Sequence, residues 1–280
     1  MIRWACVCSG FLWCLGLADE IEALQATFGW KGGGIDRLRF FKERLGFEPR
    51  HVVDVGAHVG NWTRDAREVY PSADFLLIEA NPEHADKLRA TGERFEIALL
   101  TSQPRPKVVF HSTRCNVKTG ASIFREQTPW YDYEICHQPL VLQSWTLDQV
   151  VQNSSSAGVA CCDLVKADVQ GAEIEVLRGG QRTLRNAQLV LLEASLLPYN
   201  EGAPRFSELI RFMAASGFEV VDVADATFSE DVARILQLDL LFAPTRSPLL
   251  QRPLPGGIRP APQRPDMATE QVGEMLLWDC

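Results

Sequence analysis

Short apolar runs alternate with stretches of helical period through most of the chain. Residues 51–55, 74–79, 95–99, 107–111, 140–145, 163–169 and 189–194 read as strands, with residues 218–223 and 235–242 closing the series. Between them, residues 61–70 read as a helix stopped by Pro71, and Pro82 opens a helix that runs to about Gly92. A short helix starts at Thr146, and another passes through Glu175 and Leu177 to Gly179-Gly180. Residues 207–216 form a further helix ending at Gly217. Strands that are apolar throughout and alternate with helices predict a parallel-rich α/β sheet covered on both faces. Too little helix separates the last two strands for a crossover, so they are expected to pair antiparallel at one edge of the sheet.

The two ends break this pattern. Residues 1–47 read as a helical leader: an apolar stretch, the Gly32-Gly33-Gly34 break and a helix through Leu38 and Phe41. Residues 244–280 carry seven prolines before Met267, which predicts an extended tail with no regular element until a short helix near residues 270–277. The expected organisation is therefore leader 1–47, an α/β domain 48–243 and proline-rich tail 244–280.

Composition narrows the class. The 280 residues carry a formal charge of −8 and 46% apolar residues, values of a globular chain with no basic footprint for nucleic acid. No apolar run is long enough to span a membrane. Eight cysteines show no zinc spacing, and His84, His111 and His137 have no companion at ligand spacing, so no metal site is expected. One positive charge, a short apolar core and Gly16-Leu17-Ala18 make a weak copy of a secretory signal. Against it, the glycosylation sequon at Asn61 falls in the ligand loop described next, which favours the cytoplasm.

The first strand runs into Asp54-Val55-Gly56-Ala57-His58-Val59-Gly60-Asn61. Its glycines permit a sharp turn and close approach of a ligand to the backbone. The second strand ends in Glu79, 19 residues after Gly60, where a carboxylate accepts hydrogen bonds from ribose hydroxyls. The spacing is G-x-x-x-G, not the G-x-G-x-x-G that cradles a pyrophosphate. Asp54 repels a pyrophosphate but suits an α-amino group. A ribose, a cationic amino-acid end and no phosphate describe S-adenosylmethionine.

These residues, with Ile78-Glu79-Ala80-Asn81-Pro82 and Leu164-Val165-Lys166-Ala167-Asp168-Val169-Gln170-Gly171-Ala172-Glu173, resemble the FkbM-type S-adenosylmethionine-dependent methyltransferases. Gly120–Ile123, Trp145–Asp148 and Val190–Glu193 resemble later segments of that family, so the likeness covers roughly residues 50–243. The resemblance implies a class I methyltransferase fold, Rossmann-like, with a seven-stranded, mostly parallel sheet, and O-methylation of a hydroxyl. By the same resemblance Asp54, Gly56, Ala57, His58, Gly60 and Asn61 form the methionine-side loop. Glu79 holds the ribose, flanked by Ala80 and Asn81, and Ala98 lies near the adenine. Asp168, Gly171 and Glu173 sit at the fourth strand's end. His58 stands where the family often has Asn, and Gln170 where it usually has Glu.

Methyl transfer needs a hydroxyl held in line with the methyl group and a base near its proton. Asp168 is the first candidate for that base, or for orienting the acceptor, and Glu193 the second. Asn116, Ser122 and Tyr131 are candidates for the wall that binds a small-molecule or carbohydrate acceptor. Each residue also has a plain structural reading: Asp54 as a turn cap, Glu79 as a solvated strand end, Asp168 and Glu193 as buried network members. Two other functions fit the same sheet: a non-catalytic S-adenosylmethionine-binding scaffold docking through the tail, or an NAD-dependent oxidoreductase, which the glycine spacing and Asp54 oppose.

Overall fold

The computed structural model describes residues 34–113, 120–128, 137–154, 162–197, 199–229 and 234–251. Among them, seven strands form the main sheet in the order β11-β12-β9-β8-β1-β2-β3. These are β1 (His51–Val55), β2 (Asp74–Glu79), β3 (Arg94–Ile97), β8 (Leu164–Ala167), β9 (Leu189–Ser195), β11 (Phe218–Ser229) and β12 (Arg234–Pro244). β1 pairs in parallel with both β2 and β8, and β8 with β9. β12 runs antiparallel to β9 and to β11. The antiparallel strand therefore lies one place in from the edge, and β11 is outermost.

Alternation along each strand sends side chains to two cores. Val53, Val55, Leu76, Ile78, Val165, Val190 and Leu192 pack under the helices Leu147–Ser154, Glu173–Arg178 and Phe206–Ala215. Val52, Phe75, Leu77, Leu164, Leu189 and Leu191 pack with Leu38, Phe41, Ala66 and Val69 of the helices Ile35–Leu45 and Asn61–Val69. In the latter helix Thr63, Ala66 and Val69, three apart, are buried, which is the period of one helix face.

Several expected elements differ in detail. The strand expected at residues 95–99 ends at Ile97, and Leu99 pairs with Ser144 in a second sheet. Pro82 opens a 3-10 turn, Pro82–His84, capped by Asn81, before the helix Ala85–Ala90. Gly179-Gly180 stops one helix, but a second, Gln181–Asn186, follows at once, because glycine at 180 can end one helix and start the next. The tail was expected to lack regular structure until Met267, yet Pro248 starts a one-turn helix, Pro248–Gln251, where a missing backbone N–H costs nothing. The expected helix at residues 270–277 lies outside the described residues.

A separate three-stranded sheet joins the main one along the chain. It has the order β4-β7-β5, formed by β4 (Leu99–Leu100), β5 (Arg105–Thr113) and β7 (His137–Trp145). β6 (Arg125–Glu126) and β10 (Asn200–Glu201) make a two-stranded pair. No helix among the described residues is long and apolar enough to cross a membrane.

Candidate functional site

Strand order reverses between β1 and β8, and the carboxyl ends of β1, β2 and β8 open onto a cleft of about 410 Å³. Gly56, His58 and Asn61 line it from the β1 turn, Glu79, Ala80 and Asn81 from the end of β2, and Ala98 from the end of β3. Asp168 and Gln170 line it from the end of β8, and Ser122, bridged to His111 of β5, lines it beside them. Volumes of this order hold one small-molecule ligand.

The β1 turn is built on glycine. Gly56 has φ +75°, and a Cβ there would stand 1.9 Å from the carbonyl oxygen of Asp168. The backbone amides of Gly56 and Ala57 donate to the Ile78 carbonyl at 2.9 and 3.1 Å, locking the turn to β2. Gly60, φ +81°, caps the helix Asn61–Val69. Ala57 is buried beneath the turn and Gly60 at its end, and neither touches the cleft.

Glu79 is the polar floor of one end. Its Oε2 accepts the His58 amide and its Oε1 the Asn81 amide, both at 2.7 Å. Each oxygen keeps a lone pair for a ligand hydroxyl. Burial raises the proton affinity of this carboxyl, and the two amide bonds oppose that rise. Asn81 donates to Ser112 Oγ at 3.3 Å and accepts the Glu83 amide at 3.1 Å, so it fixes the rim of the cleft. His58, at φ 52°, packs edge-to-face on His84 with ring centres 4.3 Å apart. Burial first, then His84, lowers the His58 pKa, so the ring is neutral at pH 7.

Asp54 lies under the cleft and does not line it. It points to the Val52 side of the sheet, accepts Thr63 Oγ1 at 2.7 Å and sits 3.0 Å from Lys166 Nζ. Burial pulls the Lys166 ammonium down, but Asp54 and then Asp168 outweigh it and keep the lysine charged. Lys166, buried between Asp54 and Asp168, is the charged residue beneath the cleft that motif reading passed over. An ionisable side chain in the run Leu-Val-Lys-Ala was the visible signal that a buried carboxylate stood next to it.

At the other end, Asp168 keeps 41% of its side chain exposed and has Lys166 Nζ at 3.7 Å. Glu193 does not line the cleft. It stands behind Asp168, bonded to Gln170 and to Gln237. Asp239 is its register partner on β12, and Asp225 is the partner of Asp239 on β11. Burial first, then Asp168 and Glu173, pushes Glu193 well above the usual carboxyl range. Burial likewise raises Glu173 and Asp239 to about 7. Glu173 Oε1 accepts the amides of Val169 and Gly171 at 3.0 and 3.2 Å, so it caps the β8 turn. Ser122 Oγ donates to the Val169 carbonyl of this turn at 3.2 Å. Asn116 and Tyr131 lie outside the described residues. Among those described, no three His, Cys, Asp or Glu side chains converge to hold a metal ion.

The family described as the methyltransferase FkbM domain matches residues 54–220. The 2-O-methyltransferase NoeI of Sinorhizobium fredii is 26% identical over 164 residues. That alignment covers 54% of this chain and 65% of the relative, just under two thirds of its length. A methyltransferase FkbM structure from Methylobacillus flagellatus shows 13% identity and a TM-score of 0.43, over 74% of this chain and 47% of that one. Magnesium protoporphyrin IX methyltransferase from Synechocystis, with bound SAH, shows 10% identity and a TM-score of 0.43, over 75% of this chain and 81% of that one.

Proposed function

Since the chain belongs to the FkbM methyltransferase family, we propose that it moves a methyl group from S-adenosylmethionine to a hydroxyl oxygen of a small molecule or sugar. The observation that carries this reading is Glu79. Its carboxylate is buried at the end of β2, held by two backbone amides, and turned to the cleft with acceptor capacity to spare. A vicinal diol is the group that such a carboxylate receives. The other lining groups fit the same cofactor: Ala98 and Asn81 offer a flat, weakly polar slot, and Gly56 brings backbone to the surface.

S-adenosylmethionine supplies, when bound, a methyl group on a sulfonium leaving group, so the hard chemistry belongs to the cofactor. The chain orients the acceptor. Asp168, exposed to the cleft, takes a hydrogen bond from the acceptor hydroxyl and draws off its proton. Lys166 steadies the charge of Asp168 from behind. Glu193 holds the network in place beneath it without touching the cleft. The NoeI name, a 2-O-methyltransferase, supports oxygen as the accepting atom. Asn61 lines the cleft, and a glycan there would obstruct it, which supports a cytoplasmic location.

Calorimetric titration of the full chain with S-adenosylmethionine and, separately, NAD tests the reading. Micromolar binding of the former, weakened at least tenfold in folded Glu79→Ala, is the expected result. Tighter binding of NAD, or no binding of S-adenosylmethionine, overturns it.

A further inference from the structure

The turn after β8 forces one side chain into an unusual place. Gln170 and His58 are the non-glycine residues with positive φ among those described, and Gln170 stands at φ 55°. The turn around it is fixed from three sides. Glu173 takes the amides on either side of Gln170, and Asn200 Nδ2 donates to the Gln170 carbonyl at 2.9 Å. At Gly171, φ +94°, a Cβ would stand 2.7 Å from Ala203 Cβ, so only glycine fits beside Gln170 in this turn. The amide of Gln170 is therefore driven between two carboxylates.

Its Nε2 lies 3.0 Å from Asp168 Oδ1, and 3.1 and 2.9 Å from Glu193 Oε1 and Oε2. An amide nitrogen carries two hydrogens. One goes to Asp168, and the other is shared by the two oxygens of Glu193. The two carboxylates can only accept, which selects this orientation of the group, while Tyr199 O–H donates to Gln237 Oε1 at 2.9 Å and lies 3.4 Å from the Gln170 amide oxygen. Read as a motif, Gln170 is the loss of a carboxylate. In the folded chain it is a gain of two donors at a point where a carboxylate has none to give.

We propose that Gln170 is a positioning residue, which ties Asp168 to Glu193 and so fixes the face that Asp168 turns to the acceptor. This deepens the methyltransferase reading and rests on it. Asp168 has a partner at each oxygen, Gln170 at 3.0 Å from Oδ1 and the Lys166 ammonium at 3.7 Å from Oδ2, and its exposed part lines the cleft. The charged groups that face Glu193 are Asp168, Glu173, Asp239 and Lys166, and they come from β8, its turn, the helix Glu173–Arg178 and β12. Gln170 and Gln237 are the neutral donors that let these carboxylates stand together.

Carboxyl-13C NMR of the full chain labelled at Asp and Glu tests this. The Glu193 signal is assigned by its loss in Glu193→Gln. In Gln170→Glu the two donors become a third carboxylate, and the Glu193 titration midpoint is expected to rise by at least one pH unit. Gln170→Asn keeps a residue that tolerates left-handed backbone but is one methylene too short to bridge, and it is expected to raise the midpoint as well. Circular dichroism confirms that each variant is folded. An unchanged midpoint in both variants overturns the proposal, since a residue that only fills space does not move a neighbour's titration. Failure of the wild-type chain to bind S-adenosylmethionine, with both midpoints raised, overturns the methyltransferase reading and with it the acceptor role of the tie, while the tie itself stands.

Discussion

Lys166 Nζ and Asp54 Oδ1 lie 3.0 Å apart on neighbouring parallel strands, and Asp54 has no exposed surface. Thr63 satisfies the other carboxylate oxygen from the helix that follows the β1 turn. The pair therefore ties β1, β8 and that helix together directly under the cleft.

Lys166→Met strands a buried carboxylate and is expected to cost about 3–5 kcal/mol. Asp54→Asn/Lys166→Met removes both charges and is expected to cost less than Lys166→Met alone. Urea unfolding of the three proteins checks this. A double variant that is no more stable than Lys166→Met would show that the ion pair is not what holds the lysine.

Two glycines with the same backbone hand separate strain from crowding. Gly92 has φ +77° and open space around it, whereas a Cβ at Gly56 meets the Asp168 carbonyl at 1.9 Å. Gly92→Ala is expected to cost about 1–2 kcal/mol, the strain of the left-handed conformation alone. Gly56→Ala is expected to displace the Asp168 turn and abolish S-adenosylmethionine binding. Thermal melts with parallel calorimetry tell the two apart.

The buried carboxyls set a pH dependence with a definite sign. Glu173 and Asp239 titrate near 7 in the folded chain and near their ordinary values, about 4.5 and 3.8, when unfolded. A raised folded pKa means that the native state binds more protons between those limits. Their contribution to stability is complete below about pH 4 and is lost as pH rises towards 7 and beyond. Glu193 shifts the same way. Glu193→Gln is therefore expected to melt above the wild type at pH 8, by roughly 2–4 °C for each kcal/mol relieved, with the difference closing near pH 5. Melting curves across that range test it, and a wild type that is the more stable at pH 8 would contradict it.

His58 and His84 bear on the cofactor's charge. Burial lowers both pKa values, and Lys87 lowers each further, so both rings are neutral at pH 7. Protonation, below pH 6.5, places positive charge on two rings that line the cleft, where a cationic ligand is to bind. S-adenosylmethionine affinity is expected to fall as pH drops through the two lowered midpoints. His58→Asn/His84→Asn keeps a residue suited to φ 52° and is expected to flatten that dependence in calorimetry.

Much of the fold was legible because parallel strands buried on both faces read as plain apolar runs. β1 and β2 begin and end where the sequence places them. Glu79 was legible for the same reason, as the end of the second strand, whereas Ala80, Asn81 and Ala98 rested on the family resemblance, and Ala98 fell inside a strand expected to run to residue 99 that ends at Ile97. Asp54 shows where the reading stopped. Strand alternation sets it with Val52, away from the cleft that Val55 lines, but a glycine motif carries no face information. Glu193 repeats the lesson from β9. His111 and His137 show the other limit. They are 26 positions apart, yet Nδ1 of one lies 3.0 Å from Nε2 of the other, a closeness that only strand register creates. Gln170 was noticed as an exception to a pattern, but its use depends on a backbone angle that no spacing announces.

The small sheet β4-β7-β5 bonds chiefly to itself. It furnishes Leu100, Phe110 and Ser112 to one wall of the cleft, while the β1 and β2 turns furnish the other. Evolution can therefore edit the two walls on separate schedules. Substitutions in β5 and β7 can reshape one wall while the two backbone amides that hold Glu79 at the other stay in place.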